Sequence, residues 1–203
     1  MNFPPKKRSW PRQLALLLFV VGLPARADAH LVTTGLGPLY DGIGHMLLSP
    51  EEWITVAGLG LLAGMRGPVA GRFVLFSLPC AWLLGGFAGY FITVALSSLF
   101  SAAALLIVGG LLAADLKADQ NIVVTIAAVL GFLQGYLEGA SLGTADGATL
   151  ALLGTAAAAF VIVALAAGLV VHVSGWRRIV VRVAGSWIVA VGILLLGWTI
   201  RKG

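Results

Sequence analysis

A carboxylate and an imidazole lie four residues apart in the segment 40–45, as Asp41 and His45. If this segment is helical, the two side chains share one face, because residues four apart in a helix are neighbours. Both groups could then bind one metal ion, or Asp41 could orient the His45 ring by a hydrogen bond. A hydrogen-bonded pair at a membrane surface is the alternative. The flanking glycines and the apolar surroundings favour a metal-binding role.

Acidic residues at two further places could join such a site. Glu51 and Glu52 follow Ser49-Pro50, a pattern typical of a helix start with Ser as the cap, Pro at the first position and Glu at the third. Capping and metal binding are compatible, because the cap needs only one Glu. Glu138 lies near the end of a long apolar run, where an ionisable group is costly and usually functional or paired. A surface position at a helix end is the alternative.

The first 29 residues have the parts of a secretory signal peptide. A basic segment at 6–12 precedes an apolar stretch at 14–23, and residues 27–29 (Ala-Asp-Ala) match an A-x-A cleavage site. We therefore predict a cleaved signal peptide at 1–29 and a single transmembrane domain at 30–203. An uncleaved signal anchor is the alternative.

Cleavage after residue 29 would make His30 the first residue of the mature chain. Its free amine and its imidazole could then chelate one metal ion, and nitrogen donors suit nickel, copper and zinc. The alternative is that His30 only marks the point of cleavage.

The composition excludes a soluble enzyme and a nucleic-acid-binding domain. Of the 203 residues, 60% are hydrophobic and only 10% are charged, whereas an ordinary soluble domain has about 25% charged residues. The net charge of +5 is concentrated at the N-terminus, since removing residues 1–29 takes away five positive charges and one negative charge and leaves +1. The sequence contains no H-E-x-x-H and no glycine-rich phosphate loop in a strand–helix context, so we predict that the protein is not an enzyme.

The apolar pattern predicts an all-α, polytopic bundle of about six transmembrane helices embedded in the lipid bilayer. The predicted spans are 52–66, 73–94, 97–114, 121–140, 147–173 and 179–200. A shorter apolar segment at 36–49 ends at Ser49-Pro50 and predicts a half-helix or re-entrant piece before the first span. If that segment crosses the membrane, the count becomes seven and the C-terminus changes side.

Charges in the loops predict the orientation of the bundle. A cleaved signal peptide and six spans place three loops in the cytoplasm, and most of the remaining Lys and Arg residues lie in them, as the positive-inside rule expects. These loops are 66–72, 115–120 and 174–182. Asp115 and Asp119 bracket Lys117 in one of them and are predicted to be solvated.

Glycines recur at a spacing of four residues inside several predicted spans. Such small-xxx-small patterns let helices approach closely in lipid, so they predict tight helix packing. The pairs are Gly60 and Gly64, Gly85 and Gly89, and Gly131 and Gly135.

These residues together resemble the HupE/UreJ family, small bacterial membrane proteins found with hydrogenase and urease systems and regarded as nickel permeases. The resemblance covers roughly the whole chain. One part of it is the signal peptide followed directly by His30. The segment 42–47 (Gly-Ile-Gly-His-Met-Leu) is similar to the family's first motif, a glycine-flanked His followed by Asp-His. The segment 131–139 is similar to the second motif, a His-Gly…Glu-Gly pattern in the fourth span.

The chain departs from the family pattern at two places. Glu52-Trp53 occurs where the family has Asp-His, and Gln134 occurs where the second motif has His. The resemblance therefore implies His45 and Glu138 as metal ligands directly and Glu52 by residue type. The substituted positions supply no nitrogen ligand, and Asp41 is a candidate to compensate in part.

We predict a bacterial inner-membrane permease for a divalent transition metal ion, with nickel favoured by the resemblance and copper or cobalt also compatible. The ion would gather at the periplasmic face, at a site formed by His30, Asp41, His45, Glu52 and Glu138. One alternative is a membrane protein that binds or delivers metal through its N-terminal His without transporting it. Another is an assembly subunit without a site. The resemblance implies metalloenzyme maturation systems as partners.

Overall fold

Seven α-helices make up most of the part of the chain that the structure describes. This structure is a computed structural model, and it describes residues 34–92, 99–116 and 118–202, where no strand occurs. The helices are α1 Pro38–Leu48, α2 Pro50–Gly64, α3 Pro68–Phe91, α4 Leu99–Ala114, α5 Gln120–Leu142, α6 Ala148–Val170 and α7 Trp176–Lys202. The predicted signal peptide and His30 lie outside the described residues.

Among the described residues, four helices are long and apolar enough to cross a membrane, namely α3, α5, α6 and α7. Helix α4 is apolar but has only 16 residues in its described part, and α1 and α2 have 11 and 15. Every predicted span thus contains a helix. Within the described residues, the helices of four of the six predicted spans reach the length of about 20 residues that the hydrocarbon layer requires.

The break between α1 and α2 occurs at Ser49, as predicted. Proline lacks an N–H and its ring clashes with the preceding turn, so Pro50 cannot continue α1 and instead begins α2. The backbone N–H of Ser49 donates to His45 O and closes the last turn of α1. The predicted capping box is wrong, because the Ser49 side chain makes no capping hydrogen bond and the Glu52 side chain lies beside His45 instead.

Helices α3 and α5 pack with their backbones in direct contact through the predicted glycines. A Cβ added to Gly85 would lie 1.9 Å from Phe132 O, and one added to Gly135 would lie 2.0 Å from Trp82 O. No side chain fits in such a space. Because the contacts advance in step along both chains, the two helices run parallel.

The same kind of contact joins α1 and α2 to α6. A Cβ on Gly42 of α1 would lie 1.8 Å from Ala151 O, and one on Gly64 of α2 would lie 2.5 Å from Ala167 O. Close approach of this kind allows extensive van der Waals contact between helices, which drives their association in lipid. The predicted role of the glycine pairs in packing is confirmed.

These parallel pairs give the bundle two distinct ends. One end carries α1, the starts of α2 and α6 and the last turns of α3 and α5, and it is called the His45 end below. The opposite end carries the connections that follow α2, α4 and α6, and it is called the Asp115 end.

Asp115 lies between two arginines at the Asp115 end. Its carboxylate is 2.6 Å from Arg178 Nε and 3.9 Å from Arg66 Nη2. The hydrogen bond from Arg178 holds the pKa of Asp115 below its ordinary value of 3.8. Asp119 accepts a hydrogen bond from Asn121 N at 2.7 Å and caps α5. Asp119 is exposed, as predicted, whereas Asp115 is only partly exposed and binds the two arginines, which was not predicted.

Candidate functional site

His45 and Glu52 face each other across the break between α1 and α2. His45 Nε2 and Glu52 Oε1 are 3.6 Å apart, and the two side chains are 24% and 18% exposed. The turn at Ser49 brings these residues together although they belong to different helices. Contact with Glu52 raises the pKa of His45 above its ordinary 6.5, against the opposing effect of partial burial. An imidazole nitrogen and a carboxylate oxygen, both common metal ligands, are therefore adjacent and reachable from solvent.

The Glu138 carboxylate lies inside the bundle, in the second-last turn of α5. The residue is 5% exposed. Trp82 Nε1 donates a hydrogen bond to Oε2 at 2.6 Å, and Thr155 Oγ1 donates one to Oε1 at 2.5 Å. Within the described residues, no cationic side chain forms an ion pair with it. A carboxylate in a membrane span that has only neutral partners is costly, which makes it a candidate functional group.

Three helices hold this carboxylate in place. The contact of Gly135 with the Trp82 backbone brings the indole of α3 level with the Glu138 side chain of α5. Thr155 on α6 also lies 3.1 Å from Gly42 O, so its hydroxyl contacts α1 as well as α5. Neither Trp82 nor Thr155 was predicted from the sequence. A threonine in the middle of an alanine-rich span was a visible signal for the second, and no sequence signal pointed to the first.

The candidate ligands do not form one closed metal cage. His45, Glu52 and Glu138 are close enough to interact electrostatically. However, no three His, Cys, Asp or Glu side chains in the described ranges converge on a point where they could hold a metal ion. The arrangement is one partly exposed pair and one buried carboxylate, which differs from the closed four-ligand geometry of a structural zinc site.

The hydrogen-bond partner of Asp41 is Thr34 and is not a member of this group. The Asp41 Oδ1 accepts hydrogen bonds from Thr34 N at 2.5 Å and from Thr34 Oγ1 at 2.7 Å. These bonds lower the pKa of Asp41 below its ordinary 3.8. Although Asp41 and His45 lie one turn apart on α1, the ion-pair partner of His45 is Glu52, so Asp41 is not the group that orients the ring.

Buried polar residues continue inward from the His45–Glu52 pair. In the described part of the chain, the buried polar or charged residues are Ser49, Thr55, Gln134, Glu138 and Thr155. All of them lie toward the His45 end of the bundle. Nearer the Asp115 end, the same helices bury apolar side chains such as Leu59, Ala127 and Val163. A polar column, defined as His45, Glu52, Glu138, Thr155 and Gln134, therefore enters the bundle from one end and meets an apolar half.

A family model described as HupE / UreJ protein matches residues 17–195. The matched region includes the candidate ligands of the helices, Asp41, His45, Glu52 and Glu138. A search of curated proteins and a search of solved structures each found no match.

Proposed function

This chain belongs to the HupE/UreJ family, and we propose that it is a membrane permease for a divalent transition metal ion. The family is associated with nickel and cobalt transport, and it is not a family of enzymes. The four long apolar helices and the family membership make the chain a membrane protein. Nickel is the ion that we propose, and cobalt is the next candidate.

The buried Glu138 carboxylate is the observation that carries this proposal. An ionisable group inside a span persists when it serves a function or is paired, and Glu138 has only the neutral donors Trp82 and Thr155. The His45–Glu52 pair lies close enough to Glu138 for an electrostatic interaction. A divalent cation bound at Glu138 would supply the positively charged partner that this carboxylate lacks among the described residues.

The ion would first bind where the ligands are exposed. We propose His45 and Glu52 as the entry pair, with Asp41 and, beyond the described residues, His30 attracting the ion to the same face. Glu138 would take the ion next. Two separate binding sites with few ligands each would hold the ion weakly enough to release it again, as conduction requires. The sequence carries no nucleotide-binding loop, so facilitated passage is the proposed mechanism.

We also propose the orientation that the charges favour. The Asp115 end, which carries Arg66, Arg178 and Arg182, would face the cytoplasm of a bacterial inner membrane, and the His45 end would face the periplasm. Residues 1–29 would be removed as a signal peptide, which leaves residues 30–203 as the mature transmembrane domain.

Uptake of ⁶³Ni²⁺ into vesicles loaded with a chelator tests the function. We expect uptake by the unaltered protein, and we expect Glu138→Gln and His45→Ala to lose it while their amount in the membrane stays the same. Asp119→Asn is the matched control, because it converts a carboxylate on the same helix into an amide that still caps α5. Normal uptake by both site variants would overturn the proposed site.

A further inference from the structure

An apolar groove with a volume of about 190 Å³ runs between α3 and α6 near the Asp115 end. Apolar residues and glycines of α2, α3 and α6 line it together with Val171, and Arg72 is the one charged residue among the described residues of its wall. Glycines leave the space between the two helices open. A Cβ added to Gly168 would meet no atom within 4 Å, and one added to Gly71 would meet only the Ala167 Cβ, at 3.6 Å.

The groove opens to the outside of the bundle. Ala164 and Gly168, which belong to its wall, are both exposed, and they lie on a helix that is long and apolar enough to span the membrane. In a bilayer, this surface faces the hydrocarbon chains of the lipids. A wall of apolar atoms gains van der Waals contacts only when other atoms lie against it, and a flexible hydrocarbon chain can follow the shape of such a groove.

Arg72 places a positive charge at the end of the groove that is nearer to the membrane surface. It is the fifth residue of α3, about 6 Å along the helix from its start at Pro68. Its Nε donates a 3.3 Å hydrogen bond to Pro68 O, so the guanidinium group points back toward the start of the helix. Among the described residues, no acidic side chain forms an ion pair with Arg72. The charge is therefore available to an anion from outside the chain.

We propose that this groove binds an anionic phospholipid, with one acyl chain along Gly71 and Gly168 and the phosphate group at Arg72. The guanidinium group complements a phosphate in charge, and its planar set of N–H donors can bind two phosphate oxygens at once. The acyl chain fills the space between α3 and α6 that their own side chains do not reach, and it thereby stabilises the contact between these helices. In the proposed orientation, the lipid belongs to the cytoplasmic leaflet, where anionic lipids create a negative surface potential.

Native mass spectrometry of the purified protein in detergent, with phosphatidylglycerol or phosphatidylcholine added, tests this site. We expect the unaltered protein to retain phosphatidylglycerol in preference to phosphatidylcholine. Arg72→Gln should weaken the retention of phosphatidylglycerol about fivefold, which corresponds to roughly 1 kcal/mol for one charge near a lipid surface, and should remove the preference. Gly168→Leu should lower the retention of both lipids, because its side chain takes the place of the acyl chain while its Cβ meets no other atom.

Arg177→Gln and Gly197→Leu are the matched controls. Arg177 is another exposed arginine near the Asp115 end, and Gly197 is another exposed glycine at which an added Cβ meets no atom within 4 Å. Neither residue lines the groove, so both variants should retain phosphatidylglycerol as the unaltered protein does. Phosphatidylglycerol should also raise the Tm of the unaltered protein more than that of Arg72→Gln, and inorganic phosphate should leave the Tm unchanged.

Three results would overturn the lipid site. The first is equal retention of both lipids by the unaltered protein, or full retention of phosphatidylglycerol by both Arg72→Gln and Gly168→Leu. The second is an equal rise in Tm with inorganic phosphate, which would assign Arg72 to a soluble anion. The third is a dimer mass that Gly168→Leu abolishes, which would assign the groove to a second copy of this chain. None of these results bears on the permease proposal, because the experiment measures no uptake.

Discussion

The indole nitrogen of Trp82 donates a 2.6 Å hydrogen bond to the carboxylate of Glu138, from one membrane-spanning helix to its parallel neighbour. Trp82 is fully buried, and the contact depends on Gly135, which lets the two backbones touch. The glycine contact that packs the two helices together therefore also positions Glu138, a candidate ion ligand. Changes to the helix interface should affect transport, and changes to the carboxylate should affect stability.

Trp82→Phe should lower both stability and uptake. The ring remains apolar and large, but Glu138 loses one of its two donors, and an unpaired buried group of this kind costs about 1–3 kcal/mol. Thermal unfolding in detergent and vesicle uptake measure the two effects. Trp187→Phe is the control, because Trp187 is 73% exposed on α7. An unchanged Tm and unchanged uptake in Trp82→Phe would contradict the importance of this hydrogen bond.

Gly135→Ala should destabilise the bundle more than its small size suggests. The added Cβ would lie 2.0 Å from Trp82 O, so α3 and α5 must separate, and overpacking of this kind costs about 1–3 kcal/mol. The Tm in detergent and the yield of folded protein report the loss. Gly110→Ala has open space around the new Cβ and should be neutral or stabilising. Equal stability of the two variants would mean that the close contact is not needed.

Metal binding should weaken as the pH falls, and it should begin to do so above the pKa of an ordinary histidine, near 6.5. Glu52 raises the pKa of His45, and a metal ion binds only the deprotonated ring. Glu52→Gln removes the main cause of the raised pKa, so the midpoint of binding should move to lower pH although the affinity at neutral pH falls. Titration of Co²⁺ binding by absorbance at several pH values measures this. Identical midpoints for both proteins would rule out His45 as the titrating ligand.

Asp115 should make stability depend on acid pH. Its folded pKa lies below the ordinary 3.8, so its contribution is complete above that value and is lost as the pH falls through the folded pKa. Asp115→Asn should therefore flatten the Tm profile below about pH 4. The effect should be modest, because the ion pairs are partly exposed to solvent. A profile with the same acid slope as the unaltered protein would assign the slope to other groups.

The sequence was a good guide to features that depend on one segment. The break at Ser49-Pro50 and the helices in the six apolar blocks follow from local patterns, and all are present in the structure. The glycine pairs also predicted close packing, because their spacing alone places them on one face. The number of spans is still a prediction, because α2 and the described part of α4 have 15 and 16 residues, fewer than the about 20 that a span requires.

Features that depend on two segments were not predictable in this way. The pairing of His45 with Glu52 follows from the angle between α1 and α2, which the helical spacing of Asp41 and His45 could not anticipate. The donors of Glu138 come from helices 56 and 17 residues away, and they meet only because of the way the helices pack. The sequence identified Gln134 as a departure from the family motif. That its side-chain amide has no hydrogen-bond partner among the described residues depends on how the helices pack around it.

Competition binding of nickel, cobalt and copper to the purified protein tests the central claim most directly. The His45–Glu52 pair and the buried Glu138 are proposed to serve one ion path. We therefore expect selective binding of a divalent ion that His45→Ala abolishes, Glu138→Gln weakens and Asp119→Asn leaves unchanged. Binding that is equal in all four proteins, or absent from the unaltered one, would contradict the claim that these residues bind the transported metal.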